Sequence, residues 1–212
     1  EKVKRAFDKV YKESGKAKGD TKYSLSQVDG IDYVRTEKNA FIKEDGSLMT
    51  EREVFNSLVG KTISTPDGDI EIVKNLPGKR MYKELYNRYP KHLKNVEDVK
   101  QLNSDVNYNM EELLSNSEAI SINDPDIDNR HQEQGITSFD TRSVRFYDGN
   151  RAYDVEFSIA TLQNGEKIAY AKKFYGYNAE LTKKIQGAET RGFTNTPMNQ
   201  HPVSANSVSQ NS

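Results

Sequence analysis

The sequence predicts an α+β domain with N-terminal helices followed by an antiparallel β-meander sheet, and with a disordered C-terminal tail. Up to about residue 120, the apolar residues recur mainly at helical spacing. From residue 143 they alternate with polar residues, as in a half-buried strand. The turn signals DGN and QNGE divide residues 143–174 into three such runs. A helical period that gives way to a period of two is typical of this fold class.

The first 22 residues are expected to lie outside the compact domain. In EKVKRAFDKVYKES, one helical stripe carries Val3, Phe7 and Val10, which predicts a short helix. The following GKAKGDTK has the charge and glycine content of a linker. Residues 1–22 are therefore interpreted as an N-terminal helix and linker, and residues 23–177 as the α+β domain.

Local signals define the elements that come next. IDYVRT, residues 31–36, predicts a strand. Thr50 is a good N-cap, and Glu53 completes a capping box for a helix that should end at Gly60. KTIS and IEIV flank an Asp67-Gly68 turn signal, which predicts a β-hairpin.

Two longer helical segments are expected after this hairpin. GKRMYKELYNRY, residues 78–89, has apolar residues at helical spacing and would place Lys79 and Arg80 at a helix N-terminus. Residues 95–120 form a second helical stretch, in which Asn107 is a candidate cap for the later half.

The meander is followed by a polar tail. In its middle run, apolar and polar residues alternate through Tyr153, Val155, Phe157 and Ile159. A short amphipathic helix is predicted for NAELTKKIQ, and the remainder to residue 212 is rich in Asn, Ser, Gln and Pro. Such a composition cannot bury enough apolar surface to offset the entropy of ordering. Residues 178–212 are therefore interpreted as a short helix and a disordered tail.

Composition restricts the chemistry. The 212 residues include no cysteine, which excludes disulfides, cysteine-ligated zinc and thiol nucleophiles. A formal net charge of -1 gives no overall attraction for nucleic acid, so such binding needs a local basic patch. No apolar run reaches the roughly 18 residues that cross a bilayer, and the charged start lacks a secretory signal. We therefore expect no membrane partner and a cytoplasmic location.

The acidic run before the meander resembles a calcium loop only at its start. Asp124, Asp126 and Asp128 have the alternating spacing of calcium ligands. An EF-hand also requires Gly at the sixth position and Glu at the twelfth, where this chain has Asn129 and Gly135. A polar loop with Asx turns is the favoured interpretation, and no metal site is predicted.

His131, in the polar segment DNRHQEQG, is the candidate acid–base group. Metal-independent RNA cleavage needs a general base, a general acid and cations that stabilise the phosphate. Basic residues that could supply these cations are Arg130, Arg142, Arg145, Lys79 and Arg80. The residues alone equally allow a solvated loop histidine, basic residues on solvated faces, and an Arg145–Glu156 pair across the meander.

Four tyrosines are expected to be exposed and are candidates for base stacking, namely Tyr82, Tyr86, Tyr147 and Tyr170. Packing in the core or at its rim is the ordinary alternative for such residues. The residues by themselves leave both roles open.

Residues 130–175, RHQEQGITSFDTRSVRFYDGNRAYDVEFSIATLQNGEKIAYAKKFY, carry a family resemblance. They resemble the C-terminal half of domains in large polyvalent proteins of phages and conjugative elements, which are similar to the barnase–EndoU–colicin–RelE-like nuclease group. The upstream GKTIST and PDGDIEIV also suit that group, and the similarity covers roughly residues 23–177. The resemblance implies a barnase/RelE-like arrangement of helices followed by a sheet.

The resemblance also implies a function. It implies a metal-independent endoribonuclease without a cofactor, acting on RNA in a bacterial or phage-infected cell as part of a larger polyprotein, with an immunity or host protein as a further partner. It supports His131 and Arg130 as the active-site pair and Lys79 as an accessory cation. Arg80, Arg142, Arg145 and Tyr170 are the candidate nucleic-acid-binding residues. The alternative is a non-catalytic interaction or inhibitor module of the same mobile-element protein.

Overall fold

The structure, a computed structural model, describes residues 25–36, 41–87, 96–125 and 128–191. The predicted N-terminal helix and the polar tail beyond residue 191 lie outside the described residues. Outside them also lie two of the three histidines, His92 and His201, and the middle aspartate of the acidic run, Asp126.

The described part of the chain is a mixed α+β structure built on a sheet of eight strands. The strands of this sheet are β1 (Leu25–Val28), β2 (Ile31–Arg35), β3 (Thr62–Thr65), β4 (Gly68–Glu71), β7 (Glu118–Asp124), β8 (Ile136–Tyr147), β9 (Ala152–Leu162) and β10 (Lys167–Tyr177). Their order is β1-β2-β8-β9-β10-β4-β3, and β7 pairs with β8. A separate small hairpin consists of β5 (Asn75–Leu76) and β6 (Lys79–Arg80).

Six helices accompany the sheet in the described residues. They are α1 (Glu51–Leu58), α2 (Met81–Leu85), α3 (Val96–Tyr108), α4 (Met110–Ser115), α5 (Asn129–Glu133) and α6 (Ala179–Thr190). None of these helices is long and apolar enough to cross a membrane.

β8, β9 and β10 form an antiparallel meander where the alternating pattern predicts one, although its first strand begins at Ile136 rather than at residue 143. The meander is only part of a mixed sheet, because β2 joins β8 and β4 joins β10 in parallel. Within the described residues, two strands precede the first helix and the β3–β4 hairpin separates α1 from α2. The predicted order of helices followed by strands is therefore too simple.

The signals in the first half of the domain are borne out locally. Thr50 accepts a hydrogen bond from the Glu53 N–H, and the Glu53 carboxylate accepts one from the Thr50 N–H, which completes the capping box. The helix ends with the C-cap residue Val59, and Gly60 follows with a φ of +78°, in the left-handed region that favours glycine. The β3–β4 hairpin is present, with Thr65 opposite Gly68 across the turn.

The two longer helical predictions are wrong in part. Residues 78–89 do not form one helix, because a Pro77-Gly78 turn (φ +69° at Gly78) closes the β5–β6 hairpin and leaves a helix of five residues. From Val96, the second segment forms two helices separated at Asn109, followed by strand β7 from Glu118. The N-cap of α4 is Asn109 and not Asn107, whose side chain is buried.

Apolar side chains of α1 to α4 form one core with the meander. Its members include Phe55, Met81, Leu85, Val106, Leu113, Phe146, Phe157 and Ile159. A second cluster attaches α6, through Leu181 and Ile185, to Val28 of β1 and to Tyr33 and Tyr147. The main core fixes α2 and β10 relative to one another, and α5 packs on β8 through the contact of His131 with Phe139. These elements carry the candidate site.

Candidate functional site

The β5–β6 hairpin, α1 and α2 border a broad open cleft of about 1210 Å³, which Arg130 of α5 also lines. The cationic side chains that line it are Arg52, Lys74, Lys79, Arg80, Lys83 and Arg130. Among the described residues, the lining includes one carboxylate, that of Glu84, and three uncharged amides. Although the net charge of the chain is -1, its described residues therefore form a local surface where six cations face one acid.

Most of these cations are not neutralised by a neighbouring acid. Among the described residues, no carboxylate forms an ion pair with Arg52, Lys74, Arg80 or Lys83. Glu84 lies 3.9 Å from Lys79, and Arg130 is 71% exposed and 3.6 Å from Asp128. The cleft therefore presents the local positive potential that anionic ligands require.

Lys79 links the cleft to the last strand of the meander. Its ammonium group donates to the Tyr170 hydroxyl and lies 3.7 Å from the centre of the Tyr170 ring. The Tyr170 hydroxyl in turn donates to Oε1 of Gln134, at 3.3 Å. This chain of polar contacts joins β6, β10 and the end of α5, although Lys79 and Tyr170 are 91 positions apart.

His131 lies beside the same tyrosine. The segment predicted as a loop forms the short helix α5, because the Asp128 carboxylate accepts the His131 N–H at 2.8 Å and so caps the helix. The imidazole packs edge-on against Phe139 and Tyr170, with ring centres 5.0 and 5.5 Å apart. His131 is therefore an ordered, half-buried residue.

The imidazole has one buried and one partly exposed side. Nδ1 of His131 is buried and lies 3.1 Å from Oδ1 of Asp128, outside hydrogen-bond geometry. Because the side chain is 19% exposed, its accessible surface belongs to other atoms of the residue. The hydrogen bond from the His131 N–H, helped by the nearby His131 and Arg130 side chains, lowers the pKa of the Asp128 carboxyl. An anion next to Nδ1 suits a histidine that exchanges protons through its other nitrogen.

The structure brings together four of the residues that the sequence nominated: Lys79, Arg130, His131 and Tyr170. Arg80 also lines the cleft; it is the last residue of β6 and the N-cap residue of α2, so its predicted place at a helix N-terminus is confirmed. His131 and the buried Tyr170 do not line the cleft themselves; they adjoin it through the contact of Tyr170 with Lys79. An acid–base group beside several cations can position a phosphodiester and move its protons.

Arg142 and Arg145 are not part of this site. Arg142 is 2% exposed, donates to the Ser117 hydroxyl at 2.8 Å and forms an ion pair with the Asp67 carboxylate at 3.0 Å. Its guanidinium group is thereby held inside the fold. Arg145 is exposed, and its cross-strand neighbour on β9 is Asp154 rather than the predicted Glu156.

The expectation of exposed tyrosines is wrong for three of the four. Tyr86, Tyr147 and Tyr170 are 0%, 1% and 5% exposed, so their rings are part of the core. Tyr82 is half-buried and lines the cleft. The other three rings pack inside the fold, which is the ordinary alternative for such residues.

The sequence analysis did not identify three cations of the cleft or the burial of Lys172. Arg52, Lys74 and Lys83 also line the cleft, and no local sequence signal indicates this, because they come from α1, from the segment before β5 and from α2. Lys172 on β10 is buried, and its amine donates to Oδ1 of Asn103 at 2.6 Å. Burial lowers its pKa well below the ordinary lysine value.

Among the described residues, no three His, Asp or Glu side chains form a cluster that could hold a metal ion. No protein-family model, curated protein or solved structure matches the chain. The geometry of the cleft and the residues around Tyr170 therefore carry the functional argument.

Proposed function

We propose that this chain binds RNA in the cationic cleft and cleaves it without a metal ion. The observation that carries the proposal is the cleft itself, where six cationic side chains of the described residues face one carboxylate. RNA carries one negative charge per nucleotide, and Lys and Arg side chains supply most of the affinity for its backbone. Because the net charge of the chain is -1, this local clustering is the feature that favours a polyanion.

In this proposal, side chains next to the cleft carry out the cleavage step. A general base removes the proton from a ribose 2′-OH, whose oxygen attacks the adjacent phosphorus. The 5′-oxygen leaves with a proton from a general acid, and the products are a 2′,3′-cyclic phosphate and a 5′-hydroxyl. His131 takes one of these proton-transfer roles, while Lys79 and Arg130 stabilise the extra charge on the phosphoryl oxygens. Arg80 holds a neighbouring phosphate.

The proposal extends to the origin of the chain through the resemblance of residues 130–175. It is the nuclease module of a polyvalent protein from a phage or conjugative element, of the barnase–EndoU–colicin–RelE-like group, and it acts in the bacterial cell. The described α+β architecture, with helices packed on an antiparallel meander, is compatible with that group. An immunity or host protein would be its protein partner.

A cleavage assay with a labelled RNA in EDTA tests the proposal. Wild-type protein is expected to give products ending in a 2′,3′-cyclic phosphate. His131→Gln is expected to lower the rate by about 100-fold or more, since general acid–base catalysis contributes roughly that much. The matched control is Gln132→Ala, an exposed change on the same helix, which should leave the rate unchanged. Undiminished cleavage by His131→Gln, with circular dichroism unchanged, would remove His131 from the mechanism.

A second candidate function is a non-catalytic module that binds a host protein. It is favoured by β7, which pairs only with β8 among the described strands and exposes Ile120 (58%) and Ile122 (64%). Exposed apolar residues on an edge strand are common where a protein partner binds. If wild-type protein neither cleaves nor binds RNA, this module becomes the better account.

A further inference from the structure

The chemistry of the cleft lining determines which part of a nucleic acid it can recognise. Stacking of a base on an aromatic side chain requires a ring with an accessible face. Of the two aromatic residues in the described lining of the cleft, Phe55 is 2% exposed and contributes to the core. Tyr82 is the remaining candidate for stacking.

The ring of Tyr82 is already covered. Tyr86, which is fully buried, stacks against it with ring centres 5.5 Å apart and an angle of 23°. The guanidinium carbon of Arg52 lies over the same ring at 4.4 Å, and the Phe55 ring contacts it at 5.4 Å. A base would have to displace the Arg52 guanidinium in order to stack there. The described lining therefore has no aromatic platform ready for a base.

The other lining groups suit phosphates. Lys74, Arg80 and Lys83 are exposed cations without an ion-pair partner among the described residues. The uncharged amides are Asn56, Asn75 and Asn87, a residue type that donates to phosphate oxygens as well as to bases. Contacts with phosphates fix the position of a strand and carry no sequence information.

We infer that the cleft recognises a nucleic-acid strand through its phosphates alone, so that DNA binds as tightly as RNA and base identity does not matter. This inference rests on the proposed function and names its substrate class: any single-stranded RNA, irrespective of sequence. Because the cleavage step uses the ribose 2′-OH, DNA occupies the cleft without being cut. Single-stranded DNA is therefore a competitive inhibitor of the proposed ribonuclease.

The strength of binding should depend steeply on salt. Each phosphate that a cation neutralises contributes about -0.7 to the slope of log K against log salt for a single strand, so five or six contacts give a slope near -4. Between 50 and 200 mM salt, the affinity should fall roughly 100- to 300-fold. A cleft that held bases by stacking or apolar contact would show a shallower slope.

Fluorescence anisotropy with four labelled 12-mers (oligo-rU, oligo-rA, oligo-dT and oligo-dA) tests the inference on the full chain. The His131→Gln variant is used so that RNA is not consumed. The four dissociation constants are expected to agree within about threefold, with the same salt slope near -4. Oligo-dT should inhibit RNA cleavage by the wild-type protein with an inhibition constant equal to its dissociation constant.

Two variants show which contacts are responsible. Lys83→Met, which removes one exposed cation, should weaken all four strands equally and reduce the salt slope by about 0.7. Tyr82→Leu removes only the ring on which Arg52 rests and should weaken all four strands equally, by less than about threefold. Tyr82→Phe, which keeps the ring packing, provides the folded control.

Different failures identify different errors. A tenfold preference for one base, or for RNA over DNA, overturns phosphate-only recognition and leaves the proposed ribonuclease standing. A tenfold loss with Tyr82→Leu that Tyr82→Phe does not share has the same meaning, because it reveals a stacked base. If none of the four strands binds at low salt, both the inference and the proposed function fail.

Discussion

At the scale of single residues, two ionisable side chains lie where water cannot solvate a charge. The amine of Lys172 is satisfied by the side-chain oxygens of Asn103 and Asn107 on α3. Glu112 on α4 is 9% exposed, and burial raises the pKa of its carboxyl to about 7. A hydrogen bond from the Asn116 amide, at 2.7 Å, opposes this rise in the pKa without cancelling it. Both side chains make the stability of the fold depend on pH.

Replacing Glu112 by Gln should stabilise the protein at pH 8 and have almost no effect at pH 4. The folded-state pKa, about 7, is above the ordinary value of 4.5, so the folded state binds more protons than the unfolded state between these values. The wild type therefore loses stability as the pH rises from about 4.5 to about 7. At pH 8 the neutral Gln should raise the free energy of unfolding by up to about 3 kcal/mol, as urea titrations can measure.

Glu118→Gln, at an exposed position on β7, is the matched control and should change stability by less than about 0.5 kcal/mol at either pH. If Glu112→Gln has the same effect at pH 4 as at pH 8, the carboxyl of Glu112 does not titrate as its burial implies.

From the sequence, the site residues could be chosen by their chemical type but could not be placed in the fold. The chemistry of RNA cleavage selected His131, Lys79 and Tyr170 from the sequence, and the fold places them in contact. The position of Tyr170 depends on the register of β10, which shifts between Ala169 and Ala171. Such an irregularity has no local sequence signal. The burial of Arg142 was equally hidden, because its partners come from other elements.

At the scale of elements, a buried arginine tethers the β3–β4 hairpin to the meander. Arg142 on β8 is 3.0 Å from the Asp67 carboxylate at the hairpin turn. It also donates to the Ser117 hydroxyl and carbonyl between α4 and β7. One guanidinium group thus holds three segments together.

Asp67→Ala should destabilise the protein by about 2 kcal/mol, because it leaves a buried guanidinium without its carboxylate partner. Asp69→Ala, at an exposed position in the same hairpin, removes a carboxylate without breaking that pair and should cost less than about 0.5 kcal/mol. The midpoints of urea unfolding for the two variants give the comparison. Equal midpoints would mean that the Arg142–Asp67 pair does not hold the hairpin.

Elements with complete local signals were predictable. Thr50 and Glu53 satisfy each other within one turn, so the start of α1 can be read from four residues. The segment after Val73 was misread because helical spacing in MYKELY was extended back to Gly78, which belongs to the turn signal Pro77-Gly78. Where a periodic pattern and a turn signal overlap, the turn set the element boundary.

At the scale of the whole molecule, the features that the sequence did not reveal are the long-range ones. β2 pairs in parallel with β8, and β4 with β10, and both pairings join segments far apart in the chain. Such pairings depend on tertiary packing rather than on local patterns. The cleft also depends on tertiary packing. A net charge of -1 does not indicate that six cations of the described residues gather on one surface.

The central claim is that this cleft is the RNA-binding surface, and a charge-reversal comparison tests it most directly. Arg80→Glu combined with Lys83→Glu reverses two cations of the cleft, while Lys100→Glu combined with Arg145→Glu reverses two exposed cations that do not line it. Both double variants change the net charge equally. The measurement is the dissociation constant of a single-stranded RNA at 50 mM salt. We predict a loss of affinity of roughly 100-fold or more for the cleft pair and less than about threefold for the control pair; equal losses for the two pairs would contradict the account.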